Sequence, residues 1–173
     1  MAIREIVKIP DPVLKAPSET VPAVTDEVRA LLDDMLETMY DAPGIGLAAV
    51  QIGVPKRLVV IDLAKEDEEA NPLFLINPEI VWASEEESEY EEGCLSIPDV
   101  NDVVTRPAEV KVRFLDRDGA EQEMHCDGLL ATCVQHEVDH TNGILFIDHL
   151  SRLKRERIVK RFAKAKRHGQ AAE

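Results

Sequence analysis

The sequence predicts an α+β fold: short, mostly antiparallel strands packed around a central metal-binding helix, with an additional helix at the C-terminal end. Three observations predict it. Short apolar or alternating runs recur between residues 57 and 126, punctuated by turn-forming residues. Helical spacing occurs in three stretches, one ahead of these runs and two after them. Within the second stretch, His136-Glu137-Val138-Asp139-His140 sets two imidazoles on one helix face, about one turn apart.

Taken in order, Val28, Leu31, Leu32, Met35, Leu36 and Met39 repeat at helical spacing, which predicts an amphipathic helix over 26–40. Thr25 is its expected N-cap, and Pro43-Gly44 lies just past its end. Arg57–Leu63 and Leu73–Ile76 read as buried strands, and Ile80–Ala83, Val103–Thr105 and Val110–Leu115 as further strands. Asp118-Gly119 signals a hairpin ahead of a strand over 120–125. The acidic runs Glu66–Glu69 and Glu85–Glu92 read as solvated loops or edges, except where the second runs into Gly93-Cys94. Gly128–His140 carries the histidine pair on a helix closed by Asn142-Gly143. A last helix, 151–168, starts at the N-cap Ser151, and its sparse apolar positions Leu153, Ile158 and Phe162 leave much of its surface exposed.

With 173 residues and 45% hydrophobic content, the chain suits one catalytic domain, 1–173, without linker or repeat. No stretch approaches the length of a membrane span, and the opening MAIREIVKIPDP has neither a secretory nor a transit signature. Three cysteines without an export signal favour free thiols or metal binding over disulfides, so a cytoplasmic location is expected. The net charge of −14 is unevenly spread: residues 151–173 hold nine Lys and Arg against two Glu, and residues 1–150 hold 11 against 32 acids. A tail near +7 on a body near −21 suits contact with a polyanion, or a solvated helix that offsets the acidic body.

The i, i+4 histidines can share one metal ion, and the Glu beside the first can take a proton from water activated by that ion. A catalytic site needs a third ligand. Position 146 is Phe, so a longer histidine motif fails, and the chain has too few residues after His140 for the extra helical domain of a common metallopeptidase. Cysteine offers three candidates. Cys133 shares the helix face of His136; Cys126 reads as a structural residue. Cys94, in Glu92-Gly93-Cys94-Leu95-Ser96-Ile97-Pro98, would close the site from a separate element and is modestly preferred.

Three segments, Gly44-Ile45-Gly46-Leu47-Ala48-Ala49-Val50-Gln51, Glu92-Gly93-Cys94-Leu95-Ser96 and Gln135-His136-Glu137-Val138-Asp139-His140, resemble the signature motifs of the peptide deformylase family, in its order and at compatible separations. The resemblance extends over nearly the whole chain. It implies hydrolysis of the formyl group from the N-terminal formylmethionine of nascent polypeptides, with release of formate. It implies Cys94, His136 and His140 as ligands of one divalent metal ion, Fe(II) physiologically, with Zn, Ni or Co able to substitute. Glu137 is then the general base and acid, and the Gln51 side chain and the Leu95 N–H stabilise the oxyanion. Gly44, Ile45 and Gly46 become a strand edge that pairs with the substrate backbone, and Ile45, Leu129 and Cys133 the pocket for methionine. By the same resemblance the basic helix docks on the ribosome.

Two positions depart from the pattern. A basic residue frequent near Asn101 in relatives is absent, and Thr141 stands where relatives often place Leu, which predicts looser packing after the metal helix. Two other classes make different predictions. A small metallopeptidase would cut unformylated peptides and take its third ligand after His140. A catalytically silent, metal-stabilised ribosome-binding protein would leave formyl-peptides intact. Glu137 and Gln51 argue against silence, because neither is needed merely to hold a metal.

Overall fold

A computed structural model describes residues 2–172. The first helix, α1 (Asp26–Asp41), starts where its apolar stripe starts: the Thr25 hydroxyl accepts from the Val28 N–H at 3.3 Å, satisfying one of the free amides of the first turn. Seven strands follow: β1 (Gly46–Ala48), β2 (Leu58–Ile61), β3 (Leu73–Ala83), β4 (Glu87–Cys94), β5 (Ile97–Pro107), β6 (Val110–Leu115) and β7 (Glu121–Cys126). Two helices close the chain, α2 (Gly128–Thr141) and α3 (Arg152–Ala172).

A five-stranded antiparallel sheet has the order β1-β2-β3-β6-β7. Its strands alternate between two buried faces. Val59, Ile61, Leu75 and Val112 pack with Ala131, Val134 and Val138 of α2. Leu58, Val60 and Ile76 pack with Leu32, Met35 and Met39 of α1. The sheet therefore separates two cores, and α2 lies buried between its own core and the hairpin β4–β5. A third core joins Ile97, Val100 and Val104 of β5 to Leu14, Phe146 and Ile147, and α3 covers it with Ile158 and Phe162.

The α+β expectation holds, with four local differences. Leu73–Ala83 is one strand, not two. Asn77-Pro78 reads as a break, but the strand bulges there instead: Asn77 takes φ 54°, and its side chain bonds both the N–H and the C=O of Val21 at 2.8 and 2.9 Å. The Glu85–Glu92 run is mostly strand, since β4 begins at Glu87 and pairs along β5 through Glu92↔Asp102. β5 reaches well beyond 103–105, because that pairing extends it to Ile97. Thr141 is not loosely packed: it is fully buried, and its hydroxyl donates to the Val138 carbonyl at 2.6 Å. No helix among the described residues is long and apolar enough to cross a membrane.

Candidate active site and metal centre

Helix α2 is buried over nearly its whole length, so its polar side chains need partners inside the protein. His136 Nδ1 donates to Glu92 Oε1 at 3.0 Å. Glu92 in turn accepts two bonds from the Arg106 guanidinium, 2.7 and 2.9 Å, and Arg106 Nη1 donates to Asp139 Oδ2 at 2.8 Å. The outermost member is His149, whose Nε2 lies 2.8 Å from the same Asp139 oxygen. This chain fixes the His136 ring with Nε2 turned away from Glu92, which frees that nitrogen for a ligand.

Cys94 ends β4, where the pairing with β5 slips by a register shift between Gly93 and Cys94. Its sulfur lies on the inward side of β4 with Glu92, 3.4 Å from His140 Nε2. Cys94, His136 and His140 then offer three ligand atoms within 4.8 Å of one another, drawn from two separate elements. Of the candidate thiols, Cys94 is the one in this group. Cys133 is outside it, lining the cleft from α2, and burial pushes its thiol well above the ordinary range. Cys126 is buried in the sheet core with its thiol pushed up to about 11, as a structural cysteine should be.

Glu137 is buried beside these donors. Its Oε1 lies 3.9 Å from His136 Nε2, and its Oε2 has no hydrogen-bond partner among the described residues. Burial pushes its carboxyl up to about 7, a value suited to accepting and returning a proton near neutrality. Burial also holds His140 well below its usual range, with His136 adding to the effect. For His136 burial acts in the same direction, but hydrogen bonds to Cys94 and Glu92 outweigh it and raise the imidazole. One thiolate and two imidazoles form a donor set of the kind that leaves a fourth, open position.

Gln51 sits in the short 3₁₀ turn after β1, with only 1% of its surface exposed. Its Oε1 accepts from the Ala48 N–H at 2.9 Å, which orients the amide. Its Nε2 therefore faces Cys94 Sγ at 3.5 Å and Ser96 Oγ at 3.1 Å. Gln51, Cys94, His136 and Glu137 border a cleft of about 420 Å³. Gly44, Ile45, Gly46 and Leu95 line one part of it and Leu129 and Cys133 another, while His140 is buried behind the wall. The glycines are required by contact: a Cβ on Gly46 would lie 2.9 Å from Glu137 Oε1, and one on Gly44 would lie 2.7 Å from Leu95 Cδ1.

The sequence profile of the family described as polypeptide deformylase matches residues 3–156. The chain belongs to this family. A peptide deformylase of Phenylobacterium zucineum is 60% identical over 172 residues, covering 99% of this chain and all of that one. One from Rhizobium meliloti is 59% identical and covers 95% of each chain. Among solved structures, the peptide deformylase of Ehrlichia chaffeensis superposes with a TM-score of 0.91 at 40% identity, covering 98% of this chain and 99% of that one. The Ehrlichia enzyme has also been solved in complex with actinonin, again with a TM-score of 0.91, at 42% identity and covering 96% and 99% of the two chains.

Deformylases are metal-dependent hydrolases that remove the formyl group from N-formylmethionine peptides, and that is the activity of this chain. Sequence reasoning missed two residues of the deformylase site, Glu92 and Arg106. Neither was given a role beforehand, and both are about 95% buried. The available signal was Glu92 itself, standing two residues before Cys94 in a strand whose alternation makes it point inward.

Proposed function

We propose that Cys94, His136 and His140 hold the catalytic divalent cation and that Glu137 is the general base and acid of deformylation. The observation that carries this reading is the buried, unpartnered Glu137 Oε2 beside the three clustered ligand atoms. A divalent cation held by those donors would supply Lewis acidity, making water a better nucleophile and the formyl carbon a better electrophile. Glu137 takes the proton of the attacking water as its oxygen bonds to the formyl carbon. Gln51 Nε2 and the Leu95 N–H donate to the oxygen that becomes negative. As the C–N bond breaks, Glu137 returns the proton to the departing amine, leaving formate and a free N-terminus.

Of the expected strand edge only Gly46 belongs to β1, and it pairs with the substrate backbone at the open side of the sheet together with Gly44 and Ile45 in the turn before it, a mode that tolerates varied sequences. Ile45, Leu129 and Cys133 contact the methionine side chain, and the lining positions of all three support this. Fe(II) is the proposed occupant, and Zn, Ni or Co suit the same donors. Metal analysis of protein purified without oxygen, with activity followed in air, tests the metal: an iron enzyme loses activity as metal and thiolate oxidise. Three free thiols, Cys94, Cys126 and Cys133, support work in a reducing cytoplasm.

The deciding experiment measures formate release from formyl-Met-Ala-Ser by metal-loaded wild type, Glu137→Ala and Cys94→Ser. Rapid release in wild type alone supports the assigned base and ligand. Absence of release from a folded, metallated wild type overturns the reading in favour of a silent homologue, and cleavage of unformylated peptides overturns it in favour of a peptidase.

Helix α3 is proposed to dock the enzyme on the ribosome, where its substrates emerge. Lys160, Lys164 and Arg167 are exposed on it. Reversing these three charges to Glu should abolish co-sedimentation with ribosomes, and raised salt should weaken the wild-type interaction. Binding that survives both would sink the proposal.

A further inference from the structure

Asp62 directly follows the last residue of β2, and it is buried, with only 4% of its surface exposed. No Lys or Arg neutralises its carboxylate among the described residues. Three neutral donors hold it instead: the Ala64 N–H donates to Oδ1 at 2.9 Å, the Asn71 N–H to Oδ2 at 3.0 Å and the Tyr40 hydroxyl to Oδ2 at 2.5 Å. Burial alone would raise this carboxyl, but the Tyr40 bond and the two amides outweigh it and hold it below the ordinary carboxylate range. The bond to Ala64 is the local turn that Asp often makes at the start of a loop. Tyr40 is another matter, 22 residues away on α1. A buried charge without a counter-ion is costly, and ending a strand does not require one.

The segment 44–46 hangs between these same two places. The Gly44 N–H donates to the carbonyl of Met39, the residue before Tyr40, at 2.9 Å. The Ile45 carbonyl accepts from the Asp62 N–H at 2.9 Å, and Gly46 pairs with Ile61, the residue before Asp62. The Tyr40–Asp62 bond therefore cross-links the end of α1 to the end of β2, the two anchors of the segment. Little slack remains on its other side, where a Cβ on Gly44 would meet the Leu95 side chain and one on Gly46 would meet Glu137. Neither Tyr40 nor Asp62 lines the cleft.

We propose that Tyr40 and Asp62 are positioning residues for substrate capture: their hydrogen bond fixes α1 against β2 and so aims the backbone of 44–46 at the incoming peptide. The inference rests on the reading of that segment as the substrate edge. Backbone pairing holds the peptide alike before and at the transition state, so loss of the bond appears in KM rather than in kcat. It also appears only with substrates long enough to lie along the edge.

The test measures kcat and KM of the metal-loaded enzyme on formyl-Met-Ala-Ser and on formyl-Met amide, which lacks the residues that would pair. Wild type, Tyr40→Phe, Asp62→Ala and the double variant are compared. Tyr40 is half-exposed, so Phe leaves the core untouched, and this variant carries the test alone if Asp62→Ala fails to fold. In Tyr40→Phe we expect KM for the tripeptide to rise on the order of fivefold, as loss of one hydrogen bond to a charged group allows. Its kcat, and its KM for formyl-Met amide, should stay within about twofold of wild type. Adding Tyr40→Phe to Asp62→Ala should change little, because both act through one bond. An unchanged tripeptide KM in Tyr40→Phe, an equal rise on both substrates, a loss confined to kcat, or additive effects in the double variant overturns the proposal. Wild type separates the readings. No formate from either substrate sinks the deformylase site, and equal KM for tripeptide and amide sinks the substrate edge. A lower KM for the tripeptide that Tyr40→Phe leaves unmoved sinks only the positioning role.

Discussion

Gly46 and Glu137 face each other across the cleft with no room for a methyl group between them, since a Cβ there would sit 2.9 Å from the carboxylate. Gly46→Ala should therefore push the base off its line and lower kcat by at least about tenfold, because a misplacement on the order of 1 Å is enough to disturb proton transfer. Its thermal midpoint should stay close to that of wild type, which distinguishes displacement from unfolding. Glu137→Gln keeps the volume but removes the proton acceptor, and should lower kcat by about 10²–10⁴-fold with metal content unchanged. Gln51→Ala should lower kcat by about 10²–10³-fold, the usual loss for one oxyanion donor. All three are read by steady-state kinetics beside elemental analysis.

Between elements, the chain His149–Asp139–Arg106–Glu92–His136 links the end of α2 and the segment after it to the hairpin β4–β5. Arg106→Met should destabilise the fold by about 3–5 kcal/mol in urea unfolding, because it strands two carboxylates, one of them deeply buried. Glu92→Gln should weaken metal binding by about 10–100-fold, since the amide holds the His136 ring less firmly. A second tie lies under the substrate edge. The Tyr40 hydroxyl donates to Asp62 Oδ2 at 2.5 Å, and the Asp62 N–H donates to the Ile45 carbonyl at 2.9 Å. Burial and the Asp62 bond push Tyr40 up from 10.0 to about 12, so the folded state keeps a proton that the unfolded state gives up first. Its contribution is whole below pH 10 and is lost as pH rises from 10 to about 12. The stability gap between wild type and Tyr40→Phe should accordingly close over that interval. These ties also explain what was legible beforehand. Helix α1, the hairpin β6–β7 and the histidine helix announce themselves through local periodicity, caps and an Asp-Gly turn. Arg106 does not, because it is buried only by virtue of Glu92 and Asp139, and such pairing leaves no local pattern. The unbroken β3 was hidden for a similar reason: Asn77 bulges the strand by bonding Val21, which lies 56 residues away. At the site, motif resemblance supplied the proposed ligand set, where the residues alone preferred Cys94 over Cys133 only modestly.

Across the whole molecule, the proposed metal donors come from two units, α2 on the main sheet and the separate hairpin β4–β5. Chelation should lower the thermal midpoint by several degrees, and readdition of metal should restore it in proportion to the logarithm of free metal, as linkage requires. Differential scanning calorimetry over a metal series checks this, and a midpoint insensitive to chelator would contradict the assigned ligands. The edge strand proposed to meet the substrate is only three residues long. Each backbone hydrogen bond it can offer contributes a net of roughly 0.5–1.5 kcal/mol, so the pairing alone holds a peptide only weakly. Short residence follows: a nascent chain is grasped long enough to lose its formyl group and is then let go. The same brevity denies a second copy of the chain the extended edge it would need to aggregate there.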